Sequence, residues 1–455
     1  MGVCGLLLSL ALAAGAQEKL DLTKAVDVAL ANNMTLKAAS HDVDASGWGK
    51  MKAVSNFLPK VDVAAGVTRI DPTTERYANA ALDFIKGVGP IFGLPPSVFA
   101  DIRPFAYRDT YTTQFTVVQP LYNGGAELVG LDAASAARDR SLFAYEEAEQ
   151  DVIAQVRIAY LNVLKVQELV ALSRENAQRI KRYLDMTRRR EEAGQRTRTD
   201  VLRWEVEYGD AEDKIIRAEN GLQLARLQLN EVMGVELGRL FDLERLPVTD
   251  TLAAGVTTDP FAGRDSAVVP PTEILDRHPS MGVMRANLDL ADAQVSGAWT
   301  NFKPRLNVAF QYGWEKNGTA KLDGYRPWAL AFTVSYPIFN GFGDYASVRK
   351  AQAERERAEA QVTSFRRGLL MQVSGASLAL KGTRKRMEVA LKARQQAQEV
   401  VNSVTRRYET GGASNVDLID VQTAYTSAQA DFITASYDNA IAQIQYARAT
   451  GTVTR

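Results

Sequence analysis

Cysteine, histidine, net charge and long apolar runs are all scarce in this chain of 455 residues. The one cysteine, Cys4, falls within a predicted secretory leader, so the mature chain offers no disulfide and no thiolate metal site. The two histidines, His41 and His278, lie far apart on similar predicted helices without carboxylates or cysteines at metal-ligand spacing. Both are read as residues of solvated helix faces. Lys and Arg together number 54, as do Asp and Glu, so no net field points to nucleic acid or to an anionic lipid surface. Gly87-x-Gly89 has no strand leading in and no helix leading out, so it is not a dinucleotide fingerprint. The sequence presents no catalytic constellation, cofactor motif or metal set, and an enzyme is not expected.

The leader spans residues 1–16: an apolar run from Gly5 closes on Ala14-Gly15-Ala16, the small-x-small pattern of a cleavage site, and predicts a mature start at Gln17. No Lys or Arg precedes the run, and Cys4 stands before it, unlike a lipoprotein cysteine. Beyond Ala16 nothing approaches the roughly 20 apolar residues of a membrane-spanning helix. If the mature protein crosses a bilayer, it does so with strands.

What is present is one long pattern written twice. Pro120-Leu121-Tyr122-Asn123-Gly124 pairs with Pro337-Ile338-Phe339-Asn340-Gly341, Gly194 with Gly411, Asp200 with Asp417 and Gly234 with Gly451, each at an offset of 217. Asn56-Phe57-x-Pro59 pairs with Asn301-Phe302-x-Pro304, and Met34 with Pro279, at 245. The difference of 28 falls between Pro59 and Pro120, where Asp71 to Arg108 reads as a long loop and its counterpart, Glu315 to Arg326, as a short one. The expected organisation is repeat 1 over 17–234, a linker over 235–270 that loses helical periodicity, and repeat 2 over 271–455.

Two alternating stretches flank the loop in each repeat. Val61, Val63, Ala65 and Val67 alternate with Asp62, Ala64, Gly66 and Thr68, and Tyr111, Phe115 and Val117 with Thr112, Gln114 and Thr116. Leu306, Val308, Phe310 and Tyr312, then Leu330, Phe332, Val334 and Tyr336, repeat the pattern. Four amphipathic strands per chain follow, of the kind found in outer-membrane barrels; a soluble sandwich edge has the same alternation. Pro120 and Pro337 are expected to end the ladders, since proline is tolerated at a strand end.

The rest is helix-forming. Ala126 to Arg190 and Asp344 to Tyr408 contain no proline, and Val152, Val156, Ala159, Tyr160 and Val163 mark a stripe facing a partner helix. Gly194 and Gly411-Gly412 break these helices, and return helices start near Asp200 and Ser414, giving two long hairpins. Shorter helices, Asp21 to Asn56 and Thr272 to Asn301, begin the repeats.

Four strands cannot close a barrel, which needs about eight, and an open edge in lipid leaves backbone groups unpaired. Several chains must assemble. This order of helix, strand, loop, strand, Pro-x-[Tyr/Phe]-Asn-Gly turn and helical hairpin, twice over from Asp21 to Gly451, resembles the TolC family of outer-membrane efflux proteins. The segment Arg407-Tyr408-Glu409-Thr410-Gly411-Gly412-Ala413-Ser414-Asn415-Val416-Asp417-Leu418-Ile419-Asp420 is similar to that family's periplasmic tip, and Glu191 to Leu202 is a weaker version of it.

The resemblance implies a mixed fold, mainly long coiled-coil hairpins with four transmembrane strands per chain, in a homotrimer with one barrel of twelve strands in outer-membrane lipid. It implies a passive exit duct of an efflux or type I secretion system, served by a periplasmic adaptor and an inner-membrane pump, with no cofactor. It places Tyr408, Asp417 and Asp420 at the tunnel-entrance gate, and Gly194, Gln195, Arg196, Thr197, Gly411, Gly412 and Ser414 at tips facing the adaptor. An aspartate at the N-terminus of a helix is also favoured by the macrodipole alone, and glycines at a turn by positive φ alone. Ala413 stands where some members carry an arginine, a role open here to Arg196, Arg198 or Arg406. The competing expectation is a soluble periplasmic coiled-coil scaffold or adaptor-like protein, which would not need four amphipathic strands in matched pairs.

Overall fold

A computed structural model describes residues 18–93, 95–99, 102–244, 272–321 and 324–454. The expected leader and linker residues 245–270 lie outside these. Contacts divide the chain into two units, one of residues 46–138 and 287–359, the other of the remaining segments.

The first unit is organised by an antiparallel sheet of β2 (Lys60–Arg69), β3 (Asp109–Asn123), β5 (Arg305–Asn317) and β6 (Trp328–Ser335), in that order, so among the described residues β2 and β6 are free edges. Register aligns the alternation across all four strands. Val61, Val117, Phe310 and Leu330 form one cross-strand row, and Val63, Phe115, Tyr312 and Trp328 the next. The opposite face carries Asp62, Thr116 and Gln311 in one row and Ala64, Gln114 and Gly313 in another. The apolar face is bare, with Val63, Phe332 and Val334 each more than two-thirds exposed. Each such side chain leaves about 1.5–3 kcal/mol of transfer free energy unrealised in water.

Two expectations change here. Asp71 to Arg108 is not simply a loop: Pro72–Val88 forms helix α3, with the Asp71 carboxylate accepting from the Thr73 and Thr74 amides and proline in the first turn. Asp-Pro at a helix start combines an N-cap with a preset φ, a signal masked by the Gly and Pro that follow. The Asn79 side chain then clamps the returning chain, donating to the Ala106 carbonyl and accepting from the Phe105 and Ala106 amides at 2.7–3.1 Å. Nor does Pro120 end its ladder. Strand β3 runs on to Asn123 past an irregularity between Pro120 and Tyr122, because a bulge absorbs the missing N–H. Pro337 does lie just beyond the end of β6.

The second unit is mainly helical and holds most of the two longest helices. Helices α4 (Ala126–Glu192) and α8 (Gly343–Glu409) each run 67 residues, about 100 Å at 1.5 Å per residue. Return helices α5 (Arg198–Met233) and α9 (Asn415–Ala449) complete the hairpins. Val152, Val156, Tyr160 and Val163 of α4 are buried as their spacing requires, together with Ile153, Leu161 and Leu164. They form one core with Leu229 and Met233 of α5 and Tyr437, Ala440 and Ile444 of α9.

The shorter helices differ from the single pieces expected. The first is α1 (Leu22–Asn32) and α2 (Met34–Ser55), the second α6 (Thr272–Asp276) and α7 (Pro279–Thr300). At the first break Asn33 Oδ1 accepts from the Thr35 and Leu36 amides, and at the second His278 Nδ1 accepts from the Ser280 amide at 3.2 Å. His278 is therefore a half-buried capping residue and not part of a solvated face. The linker contains a short strand, β4 (Phe241–Leu243), paired in parallel with β1 (Glu18–Leu20). The buried Tyr160 hydroxyl lies 2.9 Å from the carbonyls of both Leu20 and Glu244 and pins this pair to α4. Three-residue strands carry too little pattern to be read in advance.

Candidate functional site

Both hairpin tips are built the same way. Gly194 and Gly411 adopt φ of 72° and 82° with open space around them, so conformation and not crowding requires glycine there. The Gln195 amide donates to the Arg190 carbonyl and the Gly412 amide to that of Arg407, the wide bond of a Schellman ending. The return helices then start on capping boxes. Thr197 pairs with Asp200, and Ser414 with Asp417, whose Oδ2 accepts from the Ser414 amide at 2.9 Å and hydroxyl at 2.8 Å. Those bonds, helped by the charge of Arg407, hold the Asp417 carboxyl below its ordinary range. Asp417 and Asp420 are both exposed, as are Gln195, Thr197, Gly412 and Ser414.

Tyr408 is fully buried within its own chain. Its hydroxyl donates to Asn415 Oδ1 and lies 3.3 Å from Thr187 Oγ1, and Asn415 Nδ2 donates to the Asp200 carbonyl at 3.4 Å. The Tyr183 ring meets that of Tyr408 edge-on at 6.3 Å and stacks on Trp204 at 5.3 Å. These groups join the ends of the two hairpins into one packed cluster with Leu184, Val201 and Leu418. Sequence reasoning missed Tyr183, Thr187, Trp204 and Asn415. They come from three helices, α4, α5 and α9, and no spacing joins one helix to the next, although a lone tryptophan four residues past Asp200 was a visible cue.

The guanidinium of Arg196 stands 5.0 Å from the Tyr408 ring centroid, and that of Arg190 at 5.6 Å. Arg196 is the repeat counterpart of Ala413, since 413 − 196 is the same 217 that relates the other tip landmarks. The arginine lacking from the second tip is thus present at the equivalent place on the first, half-buried against the tyrosine. Among the described residues no three His, Cys, Asp or Glu side chains converge on a metal position, and no helix is long and apolar enough to cross a membrane.

A sheet with one bare apolar face and two edges unpaired among the described residues, in a chain that also forms paired long hairpins, is the make-up of an outer-membrane channel protein. The sequence matches the family of outer membrane efflux proteins over residues 25–235 and 271–452, and the chain belongs to that family. It is 25% identical over 343 residues to the alkaline protease secretion protein AprF of Pseudomonas aeruginosa, covering 72% of this chain and 67% of AprF. To CyaE of Bordetella pertussis it is 24% identical, covering 90% of this chain and 80% of CyaE. Among solved structures the channel CusC superposes with a TM-score of 0.79 at 13% identity, over 94% of this chain and 92% of CusC. The protein is accordingly an outer-membrane protein with a periplasmic helical extension, and the soluble scaffold is set aside.

Proposed function

We propose that three copies of this chain close one barrel and one helical tunnel, forming a passive exit duct for an efflux or type I secretion system. The supporting observation is the sheet. Its apolar rows need lipid, and its edge strands β2 and β6 need partners that the described residues do not supply. Three four-stranded sheets joined edge to edge satisfy both needs. The hairpin tips then converge on the symmetry axis, where Asp417 and Asp420, exposed and one turn apart on α9, give two rings of negative charge that favour cations. Tyr408 holds the closed tip from within the protomer. A periplasmic adaptor engages the exposed tip residues around Gly194, Gln195, Thr197, Gly411, Gly412 and Ser414, with the half-buried Arg196 behind them, and an inner-membrane pump supplies the energy.

The test is single-channel recording of the purified protein in planar bilayers, beside Asp417→Ala combined with Asp420→Ala. Trimer-sized pores whose cation selectivity falls in the double variant support duct and rings together. Pores of unaltered selectivity remove the rings, and a chain that never enters a bilayer removes the duct.

A further inference from the structure

The segment by which the first repeat exceeds the second holds α3, and the surface of this helix is inverted for water. Tyr77, Ala81, Phe84 and Val88 recur at spacings of four, three and four, which sets them in one stripe with Ile85 beside it. Tyr77 and Phe84 are more than two-thirds exposed, as are Ile91 and Phe92 in the 3₁₀ turn Gly89–Phe92 that follows. The residues that α3 buries, Asn79 and Leu82, lie on its other side. Arg76, Asp83 and Lys86 also fall away from the stripe.

The sheet fixes the level at which this helix sits. On its apolar face Val67 stands in register with Tyr111, and the next pair along is Arg69 with Asp109. Arg69 Nε donates to Asp109 Oδ1 at 2.5 Å and its Nη2 to Oδ2 at 3.2 Å, so the apolar face ends on a charged clamp. Just before the clamp that face gathers Tyr111, Tyr312, Trp314 and Trp328, the belt of aromatics found where a barrel leaves the acyl region. Asp71, which caps α3, follows Arg69 by two residues, and the Ile70 amide still donates to the Arg108 carbonyl at 2.9 Å. Halfway along α3, Asn79 is tied to Phe105 and Ala106. From Ala106 to Asp109 is about 11 Å of extended chain. Both the start and the middle of α3 are thus held near the clamp.

We propose that α3 and the turn after it lie along the surface of the outer membrane as an in-plane anchor, with Tyr77, Phe84, Ile91 and Phe92 set among acyl chains of the outer leaflet. The occupant is lipid because the stripe continues a face that already requires it, at the depth where the aromatic belt ends. Headgroup charge does not select it. On α3, Glu75 and Asp83 balance Arg76 and Lys86, so burial of side chains in acyl chains drives the contact. Among the described residues the shorter connection between β5 and β6 holds no helix, so the anchor belongs to the first repeat alone. The inference rests on the reading of the sheet as a lipid-facing barrel wall.

The experiment places single nitroxide labels on the full chain, reconstituted in phosphatidylcholine vesicles, and reads their collisions with oxygen and with a water-soluble nickel chelate. Cys4 lies in the expected leader, so an introduced cysteine is the only one in the mature chain. Labels at Tyr77→Cys and at Phe84→Cys are expected to meet oxygen severalfold more readily than the chelate, and a label at Asp83→Cys the reverse. Should one stripe variant fail to fold, the other carries the test. Free access of the chelate to the stripe overturns the proposal. Shielding from both reagents, or broadening between labels, also overturns it, since protein or another copy of α3 would then cover the stripe. So does insertion that requires phosphatidylglycerol in the vesicles, since headgroup charge would then hold the helix. A label at Phe332→Cys, on the apolar face of the sheet, separates the two readings. If it meets lipid while the stripe meets water, the anchor falls and the barrel wall stands; if it also meets water, both fall.

Discussion

The Tyr408 hydroxyl donates to Asn415 Oδ1 across 2.5 Å, fastening the last turn of α8 to the first turn of α9. Both residues are buried, and Thr187 Oγ1 shares the hydroxyl. Tyr408→Phe keeps a ring beneath Arg196 and Arg190 but leaves the Asn415 and Thr187 groups stranded, at a cost of about 1–3 kcal/mol. Urea unfolding of the detergent-solubilised protein should show this as a lower midpoint. A variant as stable as the parent would mean that packing alone holds the tip.

Gly234 and Gly451 end the two return helices at φ of 68°. A Cβ at Gly234 would stand 2.7 Å from the Asn32 carbonyl oxygen, whereas at Gly451 it would first meet the His278 ring at 3.0 Å. Gly451→Ala should therefore cost about 1–2 kcal/mol for the left-handed conformation, and Gly234→Ala about 1–3 kcal/mol more, because backbone cannot step aside. Equal losses in thermal unfolding would contradict the asymmetry.

Burial holds the His278 pKa below its ordinary value, and its neutral Nδ1 is needed to accept from the Ser280 amide. The stabilisation is complete above the ordinary value of about 6.5 and disappears as pH falls through it towards the lower folded value. Melting temperature should drop over that window in the parent. His278→Asn, which supplies the same kind of cap that Asn33 gives α2, should flatten the dependence. An unchanged slope would place the pH sensitivity elsewhere.

Asn79 makes three hydrogen bonds to the backbone of Phe105 and Ala106. Asn79→Ala should release α3 from that segment without disturbing the β2–β3 ladder. Limited proteolysis of the reconstituted protein should then cut between Val88 and Arg108 sooner than in the parent, with the rest of the chain intact. Identical cleavage rates would assign the hold on α3 to Leu82, which is also buried.

Much of this architecture could be read from landmarks that work locally. The constant offset of 217 marks glycines and capping residues whose φ and side-chain bonds are set within one turn, and Ser414 with Asp417 is such a pair. Alternation identified Val61 to Thr68 because the bilayer-facing rows repeat every second residue. Helix α3 was hidden because its Asp71-Pro72 start sits among loop-like residues, and β1 because three residues are too few for a pattern. The tip cluster was hidden for another reason. Tyr183, Trp204 and Tyr408 meet only through tertiary packing, so no spacing predicts them.

The free edges of β2 and β6 bear on the protein's history before it reaches its place. A newly exported chain carries two strands, of ten and eight residues, whose outer edges have no partner among the described residues and lie beside a bare apolar face, a template for pairing with any other extended chain. In the proposed trimer the sheet is completed only by copies of itself and lipid, so its persistence should depend on protomer concentration. Chains made faster than they can be matched should be the ones that proteases remove.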